Sequence, residues 1–127
     1  MADITTVDGI RFVFDPGAIC AIAERDAGAT APGTVIYGLA PAALRVAESV
    51  DALLLRLGAA ASFARLTRAD GSPVLINGKS VAVARQPLAG EYTTGVSSVV
   101  FAGSFTAGVR ESLDEVRQAI KRAGGNL

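Results

Sequence analysis

The stretch Leu66-Thr67-Arg68-Ala69-Asp70-Gly71-Ser72-Pro73-Val74-Leu75-Ile76-Asn77 decides how this chain is read, because it has a counterpart 62 residues earlier. Ile4-Thr5 and Asp8-Gly9 answer to Leu66-Thr67 and Asp70-Gly71. The offset continues without a gap through Phe12-Val13-Phe14 against Val74-Leu75-Ile76 and Ile19 against Val81. One extra residue in the middle loop moves the offset to 63, and Val46-Ala47-Glu48-Ser49-Val50-Asp51 then falls on Val109-Arg110-Glu111-Ser112-Leu113-Asp114. Self-similarity at a fixed period marks a repeated supersecondary unit. The chain therefore reads as a tandem duplication, residues 1–62 followed by residues 63–127.

Each copy sharpens the reading of the other. Asp8-Gly9 and Asp70-Gly71 stand between apolar or β-branched runs, where glycine supplies the positive φ of a tight hairpin turn and aspartate bonds its own backbone. Paired strands are expected near 3–7 with 10–14 and 64–68 with 72–76. Third strands follow at Ala18 to Ala23 and Ser80 to Arg85, fourth strands at Thr34 to Leu39 and Ser97 to Ala102, and short fifth strands near 43–47 and 105–110. The loops AGATAPG and PLAGEYTTG between them are rich in turn formers and are expected to be the mobile parts.

One helix closes each unit. Ser112 followed three residues later by Glu115 forms a capping box; Leu113, Val116 and Ile120 give a single apolar stripe, and Gly124-Gly125 stop the helix. Ser49 occupies the same place in the first unit. There Val50, Leu53, Leu54, Leu55 and Leu57 are apolar on more than one side, so that helix is expected to be covered twice. The fold class is thus α+β and mostly β: two β-rich modules, each of four to five short antiparallel strands and a C-terminal helix, packed as a pseudo-dimer. Units of about 60 residues bury too little surface to be robust alone, which argues for a shared core.

The second unit resembles the small flagellar and swarming motility protein family called FlbD. Leu66, Thr67, Arg68, Gly71, Ile76 and Asn77 match the opening of that family. Val109, Glu111, Ser112, Glu115, Val116 and Ile120 match its closing strand and helix. The likeness covers nearly all of residues 64–123, and a fainter copy covers 3–57. Family members are similar to one half of this chain, and the segment Pro87 to Gly95 is longer than the family's proline turn. What the resemblance implies is a small non-enzymatic accessory protein working beside a large assembly.

Composition narrows the chemistry. The chain has 127 residues, 50% of them hydrophobic and 19% charged, which together with a mean hydropathy of +0.41 excludes a solvated disordered chain. No apolar run approaches the roughly 18 residues that span a bilayer, so membrane insertion is not expected. With no histidine and one cysteine, zinc sites of imidazole or thiolate, histidine-ligated haem and nucleophiles activated by histidine are out of reach. Cys20, in the run Ala18 to Ile22, reads as a buried small hydrophobe. Glu48-Ser49 and Glu111-Ser112 read as cap neighbours rather than acid and nucleophile. No enzyme activity, cofactor, metal or small-molecule substrate is expected. The first residues, MADITTVDG, lack the charged start and apolar stretch of a secretory signal, so synthesis is expected in the cytoplasm.

Twelve basic residues balance twelve acidic ones, and a dedicated nucleic-acid binder usually carries a basic surplus. The balance hides an asymmetry: residues 1–62 hold four basic and seven acidic groups, a charge of minus three, and residues 63–127 hold eight and five, plus three. Contacts between the first half of one chain and the second half of the next are favoured, and such heterologous contacts build rings or lattices. The sequence points to a structural subunit that packs with itself, as a homo-oligomer, or on a larger scaffold such as a virion capsid or tail. A motility accessory factor is the alternative, and a regulator binding nucleic acid through Arg65, Arg68, Lys79, Arg85 and Arg110, among the aromatic residues Phe63, Tyr92, Phe101 and Phe105, is a weaker one. Leu53, Leu54, Leu55, Tyr92, Arg65, Arg68 and Arg85 are the interface candidates; Gly9, Gly71, Ser49, Ser112 and Glu115 are the turn and cap residues.

Overall fold

Residues 2–24, 33–92 and 94–127 are described by the structure, a computed structural model. The loop AGATAPG therefore lies outside the described residues up to Pro32. The chain runs β1 (Ala2–Thr5), β2 (Arg11–Phe14), β3 (Ala21–Glu24), β4 (Thr34–Tyr37), β5 (Leu44–Val46) and α1 (Val50–Leu57). It continues β6 (Phe63–Thr67), β7 (Pro73–Asn77), β8 (Val81–Arg85), β9 (Ser98–Ala102), β10 (Phe105–Val109) and α2 (Leu113–Arg122). The described residues are mostly β, with several antiparallel sheets and two α-helices. No helix among the described residues is long and apolar enough to cross a membrane.

Both hairpins form at the aspartate-glycine pairs. Gly9 has φ 85° and Gly71 φ 89°, values that a side chain resists. Their N–H groups donate to the carbonyls of Thr6 and Arg68 at 2.9 Å. The strand expected at Ala18 to Ala23 begins only at Ala21, because Pro16–Ala18 turns as a 3-10 helix whose Gly17 N–H is capped by the Asp15 carboxylate. The corresponding 3-10 turn at Gly78–Ser80 is capped by Asn77.

A five-stranded sheet, ordered β5-β4-β3-β7-β6, forms the middle layer, and the pairing of β3 with β7 joins the two halves. Its strands alternate. Ala21, Ala23, Val74 and Ile76 face a core completed by β8, β9, β10 and α2, while Ile22 and Leu75 face a core completed by β1, β2 and α1. A sheet covered on both faces needs apolar residues at successive positions, which accounts for Ala-Ile-Ala in β3 and Val-Leu-Ile in β7. Each core draws side chains from both halves of the chain.

Both helices are capped by serine: Ser49 accepts from Ala52 N–H, and Ser112 makes the full capping box with Glu115. Hydrogen bonding to Ser112 holds the Glu115 carboxyl below the usual range. Within the chain α1 is covered on one side only. Val50, Leu53 and Leu54 are buried and Leu57 half-buried, an i, i+3, i+4, i+7 stripe, whereas Leu55 is 84% exposed.

Candidate interaction surface

The three sheets are linked end to end by isolated hydrogen bonds. The end of β10 meets β6 through a bridge between Arg68 and Val109 and a 2.8 Å bond from Arg110 N–H to the Thr67 carbonyl. Beside β5 the turn that follows β1 is tied by Val7 N–H, which donates to the Arg45 carbonyl at 2.9 Å. The order is therefore β8-β9-β10, β6-β7-β3-β4-β5, β1-β2, and its two terminal strands, β8 and β2, do not pair with each other. Each leaves an outer edge without a strand neighbour among the described residues. Val13 on β2 is 64% exposed and Val83 on β8 51% exposed; neither strand carries lysine or proline, and the one charged residue of each, Arg11 and Arg85, is paired within the chain to Asp3 and Glu91. Natural sheets blunt free edges with such residues or cover them.

A second feature is an open cleft of about 650 Å³ where the two halves meet. The end of β4 supplies Tyr37, the connection to β5 supplies Pro41 and Ala43, the β6–β7 turn supplies Arg68 and Asp70, and β10 supplies Phe105 and Gly108. Tyr37 and Phe105 pack with ring centroids 4.5 Å apart. Tyr92 lies across Gly108, where a Cβ would come within 2.7 Å of its ring, so glycine is what lets the ring approach the strand. The loop carrying Tyr92 is fastened by Arg85 and Glu91. The guanidinium grips both carboxylate oxygens, at 2.8 and 2.6 Å, and Leu88 N–H adds a third bond at 2.9 Å. That grip pulls the Glu91 carboxyl down to about 2. Arg85 also sits over the Phe101 ring, 5.2 Å from its centroid. Ser72 holds the Asp70 carboxyl below its ordinary value through two hydrogen bonds to one oxygen.

The sequence candidates scatter. Leu53 and Leu54 are buried in the core that also holds Phe63 and Leu75 of the second half, leaving Leu55 at the surface. Arg68 and Tyr92 line the cleft, Arg85 fastens its loop, and Arg65 stands apart, exposed on the outer side of β6. Of the basic and aromatic set, Phe63 is buried, Arg85 is tied to Glu91, and Arg110 donates to the Ala69 carbonyl at 2.7 Å. Cys20 is half-buried rather than buried; its sulfur sits where a Cβ on Gly38 or Gly103 would come within 2.7 Å. Val13, Val83 and Tyr37 went unmarked in the sequence. The self-similarity of the sequence holds a signal for the first two, since Val13 and Val83 correspond to Leu75 and Ala21, which lie on the paired strands β7 and β3.

Comparison of the chain with protein-family models, with curated proteins and with solved structures gave no match.

Proposed function

We propose that this chain is a tandem pair of one β-rich unit, arranged as a pseudo-dimer. We further propose that it serves as a non-enzymatic assembly subunit, packing with copies of itself or on a larger scaffold such as a virion shell or tail. The same succession of five strands, a 3-10 turn and a capped helix on either side of Ser62 supports the first part. So does a shared tie. Thr34 Oγ1 donates to the Glu48 carbonyl and Ser98 Oγ to the Glu111 carbonyl, both at 2.7 Å and both from fully buried residues.

The free edges of β2 and β8 carry the second part. Unpaired N–H and C=O groups flanked by exposed valines form a template for another strand, and no strand among the described residues covers them. A nucleic-acid role draws less support, because two of its basic groups, Arg85 and Arg110, are already engaged within the chain.

The test is solution mass against concentration, by light scattering on a sizing column, for the wild type and Val83→Lys. A wild type heavier than one chain and a lysine variant shifted toward the single chain are the expected result. A wild type that stays a single chain at every concentration and binds no assembled particle refutes the proposal.

A further inference from the structure

We infer that the outer edge of β8 takes β2 of a second copy of this chain, antiparallel, in the register that β7 uses on β3. The inference rests on the assembly reading above and adds to it the strands, their antiparallel direction and the register of the contact.

The template is inside the molecule. β8 occupies in the second half the place of β3 in the first. Ala21, Ile22 and Ala23 pair with Tyr37, Ile36 and Val35, and Val83, Ala84 and Arg85 pair with Phe101, Val100 and Val99. β2 likewise occupies the place of β7, since Phe14 faces Ala2 as Ile76 faces Ala64. β3 is paired on its free side by β7, with Ala21, Ile22 and Ala23 opposite Ile76, Leu75 and Val74. The displacement that carries the first half onto the second thus sets a β2-type strand against a β3-type strand. Within one chain this happens once, because β2 does not return to β8. Applied again, the displacement sets β2 of the next copy against β8 of this one, with Phe14, Val13 and Phe12 opposite Val83, Ala84 and Arg85.

Charge agrees with this choice of partner. The contact joins a first half at minus three to a second half at plus three, whereas second-half to second-half contacts would set like charges together. Such a contact is heterologous and propagates until rotation closes it into a ring.

The seam between copies is weaker than the one within the chain. At the end of β7, Asn77 N–H donates to the Cys20 carbonyl and Asn77 Nδ2 to the Ile19 carbonyl at 2.8 Å. Asp15 stands at the corresponding end of β2 and has no side-chain N–H to give. β8 is also irregular between Val81 and Val83. Assembly is therefore reversible and concentration-dependent.

Cross-linking tests the register. In a Cys20→Ala background, Val13→Cys protein is mixed with Ala84→Cys protein and oxidised; opposed antiparallel residues lie about 4.5–5.5 Å apart between Cα atoms, within disulfide reach. The mixture should give a two-chain band on non-reducing gels in several-fold higher yield than either variant alone or than Val13→Cys with Ala82→Cys. Equal yields, or a double variant that closes on itself as a single chain, overturn the inference even if the wild type assembles by another surface. In the same experiment Asp15→Asn keeps the oxygen that caps Gly17 and adds the missing donor. It should lower the concentration for half-assembly about fivefold, the worth of one neutral hydrogen bond. No change or a rise contradicts the proposed seam.

Discussion

Asn77 fastens its strand to the other half of the molecule: its Nδ2 donates to the Ile19 carbonyl at 2.8 Å and to the Gly17 carbonyl at 3.2 Å, while Oδ1 accepts from Lys79 N–H. The residue is 3% exposed, so both ends of the amide are satisfied away from water. Replacing it by the residue found at the equivalent place in the first half, Asn77→Asp, sets a carboxylate against two carbonyls. The expected loss is about 2–4 kcal/mol at pH 7. Urea unfolding at constant m-value measures it, and recovery toward pH 4, as the carboxylate takes up a proton, would separate charge burial from lost packing.

The two glutamates before the helix caps occupy matched positions and make different bonds. Glu111 accepts from Thr67 N–H at 2.8 Å and Thr67 Oγ1 at 2.9 Å, stitching the end of β10 to β6. Glu48 turns instead to Arg56, whose guanidinium meets both carboxylate oxygens at 2.9 and 2.7 Å and lowers its pKa; Ala119 stands where Arg56 would in the second half. Glu111→Ala should destabilise by about 1–3 kcal/mol by stranding a part-buried N–H. Glu48→Ala breaks an exposed pair and should change stability by under about 1 kcal/mol. Equal effects in denaturant would show that the Thr67 contact contributes no more than a surface ion pair.

The Arg85–Glu91 clasp gives the cleft a pH dependence of defined sign. Hydrogen bonds from Arg85 and Leu88 depress the Glu91 carboxyl to about 2, against about 4.3 for an unfolded glutamate. Its contribution is therefore present above about pH 4.3 and is lost as the pH falls toward 2. Tyrosine emission reports it conveniently, since the chain has no tryptophan and two tyrosines, Tyr37 and Tyr92, both at the cleft. Wild-type emission should change between pH 4 and 2 by a component that Glu91→Gln lacks. Superimposable profiles for the two proteins would sever Tyr92 from the clasp.

Much of the fold was legible because it is local. Asp8-Gly9, Asp70-Gly71 and the Ser112 to Glu115 box each specify their geometry within four residues, and the repeat allowed each element to be read twice. The joining of β3 to β7 was not legible, since Ala-Ile-Ala and Val-Leu-Ile say that both faces are covered without saying by which strand. Leu53 to Leu55 read as surplus for the same reason: a row of three leucines does not show that two point inward and the third to solvent. The cleft was half visible, in Arg68 and Tyr92. Phe105 was marked only as part of a basic-aromatic face, and Tyr37 reaches the cleft from the last position of β4, which reads as an ordinary strand residue.

Two glycines without positive φ set apart packing that yields from packing that cannot. A Cβ on Gly78 would come within 2.7 Å of the Ala123 carbonyl oxygen, backbone at the end of α2, and Gly125 also presses on Gly78. A Cβ on Gly108 would meet the exposed ring of Tyr92, a side chain at the loop surface. Backbone at a helix end cannot move without lifting Val116 and Ile120 from the core, so Gly78→Ala should destabilise by about 1–3 kcal/mol. Gly108→Ala should leave the unfolding midpoint within about 1 kcal/mol of wild type while swinging Tyr92 outward. Ring-proton chemical shifts of Tyr92 would move toward those of free tyrosine. If Gly108→Ala proved as damaging as Gly78→Ala, Tyr92 would be a structural part of β10 and not the movable wall of the cleft.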